Sequence, residues 1–218
     1  MSYKIFPDIP DNLMESYLSE SEIAVDTELH GLRLYRDEVC LIQLCDDKKN
    51  VSLIKPENNQ TPPNLMRLFT EQSVQKIFHF AITDVAFIKT SLNIEVKPFC
   101  CTKVMSKLIR TYTQDHGLKD LILEVHGKQI NKEQQQSNWG DSNLSLKQLE
   151  YAANDVLYLI KIYRKLLEMM NSRPHLRSGI KISELNQKAQ SFLPGLVELL
   201  INGYGDKDGG WGISLFSH

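Results

Sequence analysis

Asp26 and Glu28 stand one residue apart at the end of the apolar run Ile23-Ala24-Val25. In an extended strand alternate side chains share a face, so both carboxylates point the same way from one rigid platform. Two acids held that close repel unless a cation joins them. A strand running out into a solvated turn would carry the same residues, and Asp-x-Glu alone is too common to be a site. Two further acids change the balance. Asp84 follows the run Gln75-Lys76-Ile77-Phe78-His79-Phe80 and falls in the first turn of what reads as a helix, where the helix dipole by itself favours a carboxylate. Asp155 belongs to Tyr151-Ala152-Ala153-Asn154-Asp155-Val156, and on a helix it shares a face with Tyr151 and Tyr158. Ala152 and Ala153 carry little bulk, so this helix can lie close against a sheet. An aspartate on its apolar side is then costly without a partner, which a metal ion would supply.

Four carboxylates drawn from strand ends and helices suit two-metal phosphoryl chemistry. Hard oxygen ligands hold two divalent ions roughly 3.5–4 Å apart, one activating water and the other stabilising the leaving oxygen. A tyrosine one helical turn from a metal-binding aspartate can orient the attacking water through its hydroxyl.

Positioning those residues requires a sheet. Strands are expected at residues 22–28, 39–45 and 50–54, with Asp46-Asp47-Lys48-Lys49 as a turn, which gives an antiparallel meander. Parallel additions follow at residues 75–80 and, as a short edge strand tolerating Pro98, at residues 95–99. The expected class is therefore α/β, a mixed five-stranded sheet flanked by helices. Three- and four-residue apolar spacing predicts helices over residues 11–20, 62–69, 82–92, 102–112, 117–126, 145–170 and 183–202. The polar stretch 127–143 reads as a functional or covering loop. Residues 1–172 form the expected catalytic unit, residues 173–202 a helical extension and residues 203–218 a glycine-rich tail.

A chain of 218 residues with 42% hydrophobic and 24% charged content can bury a substantial core, which excludes a disordered protein. The N-terminus lacks a signal-peptide pattern and no stretch is apolar for long enough to cross a bilayer, so a cytosolic protein is expected. Cys40, Cys45, Cys100 and Cys101 lack zinc-ribbon spacing and read as free thiols, Cys100 and Cys101 pointing to opposite faces. The net charge of -2 carries no basic excess, but an acidic metal cluster hides basic surface from such a sum. Lys103, Lys107, Arg110, Lys119, Lys128 and Lys132 are candidates to receive phosphates, although isolated helix lysines are ordinary.

Taken in order, Asp26-Thr27-Glu28, His79-Phe80-Ala81 with Asp84, and Tyr151-Ala152-Ala153-Asn154-Asp155-Val156 form a set, supported by Glu38-Val39-Cys40-Leu41-Ile42-Gln43-Leu44 and by Gln135-Gln136-Ser137-Asn138-Trp139-Gly140 with Leu144-Ser145. The set resembles the DEDD superfamily of 3′-to-5′ exonucleases in its tyrosine-bearing branch, and ribonuclease D most, over residues 5–170. The resemblance implies a ribonuclease H-like sheet, two Mg2+ or Mn2+ ions and stepwise hydrolysis from a 3′ end. It makes Asp26, Glu28, Asp84 and Asp155 metal ligands and Tyr151 the residue that positions water. Thr27, Leu29 and His30 become candidates for contacting the terminal nucleotide. His79 lines the nucleotide pocket or packs under the sheet, and Trp139 covers the substrate or anchors its loop. The implied partner is RNA with a free 3′ end, such as a transfer RNA precursor. Single-stranded DNA is the enzymatic alternative, since neither acids nor tyrosine read a sugar. A catalytically silent nucleic-acid binder would not need all five residues. Pairing of the C-terminal helix with a second subunit would compensate for the absence of larger RNA-gripping modules.

Overall fold

The computed structural model describes residues 3–57, 60–130, 133–173, 176 and 178–204. Its centre is the strand β2 (Glu22–Leu29), in which Ile23, Ala24 and Val25 are all fully buried. A strand covered on both faces loses the apolar–polar alternation of a half-exposed one, which explains the continuous apolar run. Antiparallel β3 (Val39–Cys45) and parallel β5 (Gln75–Phe78) flank it. Beyond them lie β4 (Val51–Ile54), antiparallel to β3, and β6 (Phe99–Cys101), parallel to β5. Lys49 takes a left-handed φ of 66° in the β3–β4 turn, where the Asp46 side chain accepts from the Asn50 backbone N–H at 2.8 Å.

The sheet has six strands, ordered β1-β4-β3-β2-β5-β6, one more than expected. The addition is β1 (Ile5–Phe6), two residues parallel to β4 and too short to leave a period in the sequence. The last strand also begins four residues later than residues 95–99 suggested, immediately after Pro98, which has no N–H for a ladder. Its exposed edge is closed by a side chain. The Cys101 N–H donates to Gln190 Oε1 at 2.8 Å, and Gln190 Nε2 returns a bond to the Cys101 carbonyl at 3.1 Å.

Helices cover both faces. On one, α1 (Asp11–Leu18), α2 (Pro63–Thr70) and α3 (Ala81–Leu92) bury Ile23, Val25, Ile42, Leu44 and Phe78. On the other, α6 (Leu146–Leu157) and α7 (Leu159–Ser172) cover Ala24, Cys45, Ile77 and Cys100. A neighbouring cluster joins Leu41, Leu53, Ala152 and Trp139. Between the layers' ends run α4 (Thr102–Ile109) and α5 (Leu118–His126). Cys100 and Cys101 enter different clusters, and all four thiols are free.

Two expected long helices are broken. Residues 145–170 divide at Tyr158, whose φ of −108° and ψ of −11° close α6 and open α7. Residues 183–202 divide at Phe192 into α8 (Ile182–Ser191) and α9 (Leu193–Ile201), because Pro194 has no N–H for a continuous ladder. Ala189, Leu193 and Val197 of these helices pack into the same core as α3. Among the described residues no helix is long and apolar enough to cross a membrane. Residues 205–218 of the glycine-rich tail lie outside the described residues.

Candidate active site

Glu28 closes the regular part of β2: opposite β3 the register runs Asp26 to Gln43 and Glu28 to Leu41, then shifts between Glu28 and Leu29. Such an irregularity ends pairing and re-aims the chain where the acids are presented. Over this face lies α6, started by a capping box in which Ser145 accepts from the Gln148 N–H and the Gln148 side chain answers the Ser145 N–H. Ala152 and Ala153, both fully buried, let α6 approach. The approach brings Asp155 to the strand: Asp26, Glu28 and Asp155 each offer a carboxylate oxygen within 4.8 Å of the others.

Asp84 joins from the opposite layer. It sits in the first turn of α3 and accepts a 2.6 Å hydrogen bond from the Thr27 hydroxyl. Thr27 alternates away from Asp26 and Glu28, toward α3, and its hydroxyl is spent on Asp84. This bond ties Thr27, a candidate nucleotide contact, to the Asp84 carboxylate. Phe80 launches α3 from a left-handed φ of 72°, a conformation that a bulky residue adopts only under tertiary constraint. Nothing in the spacing pointed to this strain.

Burial and mutual repulsion dominate the electrostatics. Asp26 is pushed well above the carboxylate range by burial, then by Asp84, Asp155 and Glu28. Glu28 rises to about 9 through burial and the charges of Asp155 and Asp84. Burial lifts Asp84 to about 7 even though the Thr27 hydroxyl works against it. A compact set of oxygen donors that cannot all ionise alone is what hard divalent cations stabilise, so the residues fit a magnesium or manganese centre. Tyr151 hydrogen-bonds Asp155, and burial followed by the nearby acids holds its phenol firmly protonated. It is therefore available as a hydrogen-bond donor beside the acids and not as a base.

The remaining candidates divide. Trp139 is 2% exposed, with its ring centroid 6.0 Å from that of Tyr151, so it anchors the loop and has no open face for a base. Gln148 Nε2 reinforces the anchor through Ser137 Oγ at 3.1 Å and the Asn138 carbonyl at 3.2 Å, and Lys55 bonds the Asp141 carbonyl. His30 is exposed, and a Cβ on Gly140 would meet its ring at 3.6 Å. Leu29 is half-buried against the core. His79 Nδ1 lies 3.0 Å from Thr102 Oγ1, and that hydroxyl donates to the Phe78 carbonyl at 3.1 Å, so Nδ1 is the donor. This ties His79 to the junction of β5 and α4.

Among the basic candidates, Arg110 is buried in an ion pair with Glu124 at 2.5 Å and is committed to the fold. Lys128 donates to the Tyr158 hydroxyl at 3.0 Å, Lys103 lies 4.6 Å over the Phe80 ring, and Lys132 is outside the described residues. Tyr158 is engaged with Lys128 and His126.

Comparison with known proteins agrees with this geometry. A 3′–5′ exonuclease family model matches residues 7–171. Ribonuclease D of Cronobacter turicensis is 28% identical over 168 residues, covering 77% of this chain and 45% of the relative. The chain thus spans less than half the length of that curated relative. Brucella melitensis NrnC with bound Mg2+ has a TM-score of 0.83 and 33% identity, covering 95% of this chain and 98% of the other. The same protein bound to pGG gives a TM-score of 0.83 and 35% identity, with the same coverage. That neighbour holds Mg2+, and Asp26, Glu28 and Asp155 of this chain offer a set of oxygen donors that fits such an ion. With its ribonuclease H-like sheet, its four converging carboxylates and a family match across three quarters of its length, the chain belongs to the 3′–5′ exonuclease family.

Proposed function

We propose that the chain is an exoribonuclease that removes nucleotides one at a time from a free RNA 3′ end, releasing nucleoside 5′-monophosphates. The observation that carries this is the convergence of Asp26, Glu28 and Asp155 within 4.8 Å, with Asp84 against Thr27 beside them. These four carboxylates hold the divalent ions, and Tyr151, fixed by its bond to Asp155, orients the attacking water. The bound ions supply an activated water and charge neutralisation at the scissile phosphate. Glu28, Asp84 and Asp155 are buried and Asp26 is half-buried, so a hydrogen bond or charge directed at the phosphate here acts more strongly than in water. Leu29 and His30, which directly follow Glu28, would meet the terminal nucleotide. RNA rather than DNA is favoured by the relatives named ribonuclease D. Structured precursors such as those of transfer RNA are one substrate class.

A second reading of substrate length is favoured by one observation. The NrnC structure that holds pGG matches this chain over nearly the whole of both, whereas ribonuclease D matches over part. On that reading the preferred substrate is a very short RNA, down to a dinucleotide.

Purified protein incubated with 5′-labelled RNA and DNA of one sequence, with Mg2+, Mn2+ or EDTA, tests the function. Metal-dependent shortening from the 3′ end of RNA alone is the expected result, and failure to shorten RNA under either metal would overturn it. Adding a labelled dinucleotide and a transfer RNA with a 3′ trailer to the series separates the two substrate classes.

A further inference from the structure

Gln43 is fully buried, and among the described residues neither its amide nitrogen nor its amide oxygen has a hydrogen-bond partner. A polar group in that state is costly, and native proteins keep few of them. Packing does not require an amide here. On β3 the same-face neighbours of Gln43 are Leu41 and Cys45, and across the β4 side it faces Leu53. Ala152 and Val156 of α6, packed on Leu41, Leu53 and Cys45, are apolar as well. A leucine or methionine would fill such a site and leave no amide unsatisfied.

Of its two cross-strand partners, Leu53 in β4 and Asp26 in β2, Asp26 carries the polar side chain. Residues paired in this way project from the same face with Cβ atoms about 4.5–5.5 Å apart, within reach of a glutamine side chain. Asp26 is also one of the three acids whose carboxylate oxygens lie within 4.8 Å of one another. We propose that Gln43 is a positioning residue for Asp26: in the metal-loaded protein its amide nitrogen donates to the Asp26 carboxylate and fixes the orientation in which that group holds a divalent ion. The role corresponds to the outer hydrogen bonds that orient metal-binding carboxylates elsewhere. It rests on the reading of the four acids as metal ligands. Asp84 has such support from Thr27, and Asp155 from Tyr151; Gln43 supplies it to Asp26.

The test uses the full chain and Mn2+ alone, followed through the paramagnetic resonance of free Mn2+, together with metal-free melting temperatures. Gln43→Met, which keeps the volume, should weaken Mn2+ binding by about 10-fold to 100-fold. It should melt, without metal, at or above the wild-type temperature, because a buried unsatisfied amide has been removed. Mn2+ affinity within twofold of wild type would overturn the proposal and leave Gln43 a packing residue. In the wild-type protein the assigned Gln43 side-chain amide resonances should shift and exchange more slowly with solvent at saturating Mg2+. Resonances unmoved by Mg2+ would overturn the proposal independently, whether or not the variant folds. A wild-type chain that bound no Mn2+ would overturn the metal reading itself, an outcome distinct from a variant that binds as wild type does.

Discussion

Divalent-ion binding to this cluster should be steeply coupled to protons. Carboxylates coordinate a metal in their ionised form, so every proton held by the metal-free site must leave as the ion enters. Glu28 titrates near 9 and Asp84 near 7, both lifted chiefly by burial. Between about pH 6 and pH 8 the ionised fraction of a group at 7 rises about 10-fold and that of a group at 9 about 100-fold. If the ions engage both, apparent affinity rises by at least about 1,000-fold, on the order of 4 kcal/mol, and the raised Asp26 carboxyl adds to it. Mn2+ titrations across that range measure the rise, and calorimetry in two buffers of different ionisation enthalpy counts the protons released. In Glu28→Gln the contributions of Asp84 and Asp26 remain and that of Glu28 is lost, so the rise should be clearly smaller than in the wild type. Metal-free stability should move the other way. Over the window from about 4 to about 9 the folded chain holds protons that the unfolded chain has already lost, so stability falls as pH rises through it. Saturating Mn2+ should remove most of that slope. An affinity that changes by less than about threefold over the range would refute the reasoning, because protonated carboxyls would then not stand between the site and its metal.

Asp155→Ala removes one of three carboxylates clustered within 4.8 Å, and turnover on labelled RNA should fall by at least about 100-fold while the metal-free melting temperature holds or rises. Near-normal turnover would exclude Asp155 as a ligand. Tyr151→Phe should lower kcat by about 100-fold and leave Mn2+ affinity within about twofold, a split that an unchanged kcat would contradict. Trp139→Ala empties a site bounded by Leu41, Leu53 and Ala152 and should cost about 3–5 kcal/mol in denaturant unfolding, with faster proteolysis of the loop it anchors. We propose that residues 173–202 stabilise the catalytic unit. Leu193→Ala should therefore cost about 2–5 kcal/mol, whereas melting unchanged in a chain ending at Arg173 would make the extension separable.

The chemistry-bearing residues were legible because each obeys a local rule whose consequences extend across the fold. Period two puts Asp26 and Glu28 together, period 3.6 puts Tyr151 with Asp155, and two alanines announce a helix that lies close to a sheet. Element ends were less legible where a single residue decides them. Tyr158 divides a continuous apolar pattern without proline or glycine, and β1 pairs through two residues that no periodicity could reveal. Pro194 and Pro98 did carry the signal for the break at Phe192 and the late start of β6, through their missing N–H groups.

Thr27 shows where one-dimensional reasoning stops. Alternation alone turns its side chain away from Asp26 and Glu28. What lies on that other face is a long-range fact, supplied by a helix whose Asp84 is fifty-seven residues away in the chain. The four acids accordingly come from three layers: Asp84 with α3, Asp26 and Glu28 in the sheet, Asp155 with α6. Their geometry is set by how both helical layers pack on β2, so disturbance of either core should weaken metal binding before it unfolds the chain. Gln43 and Thr27 occupy opposite faces of neighbouring strands, each positioned to support an acid with the layer that it touches.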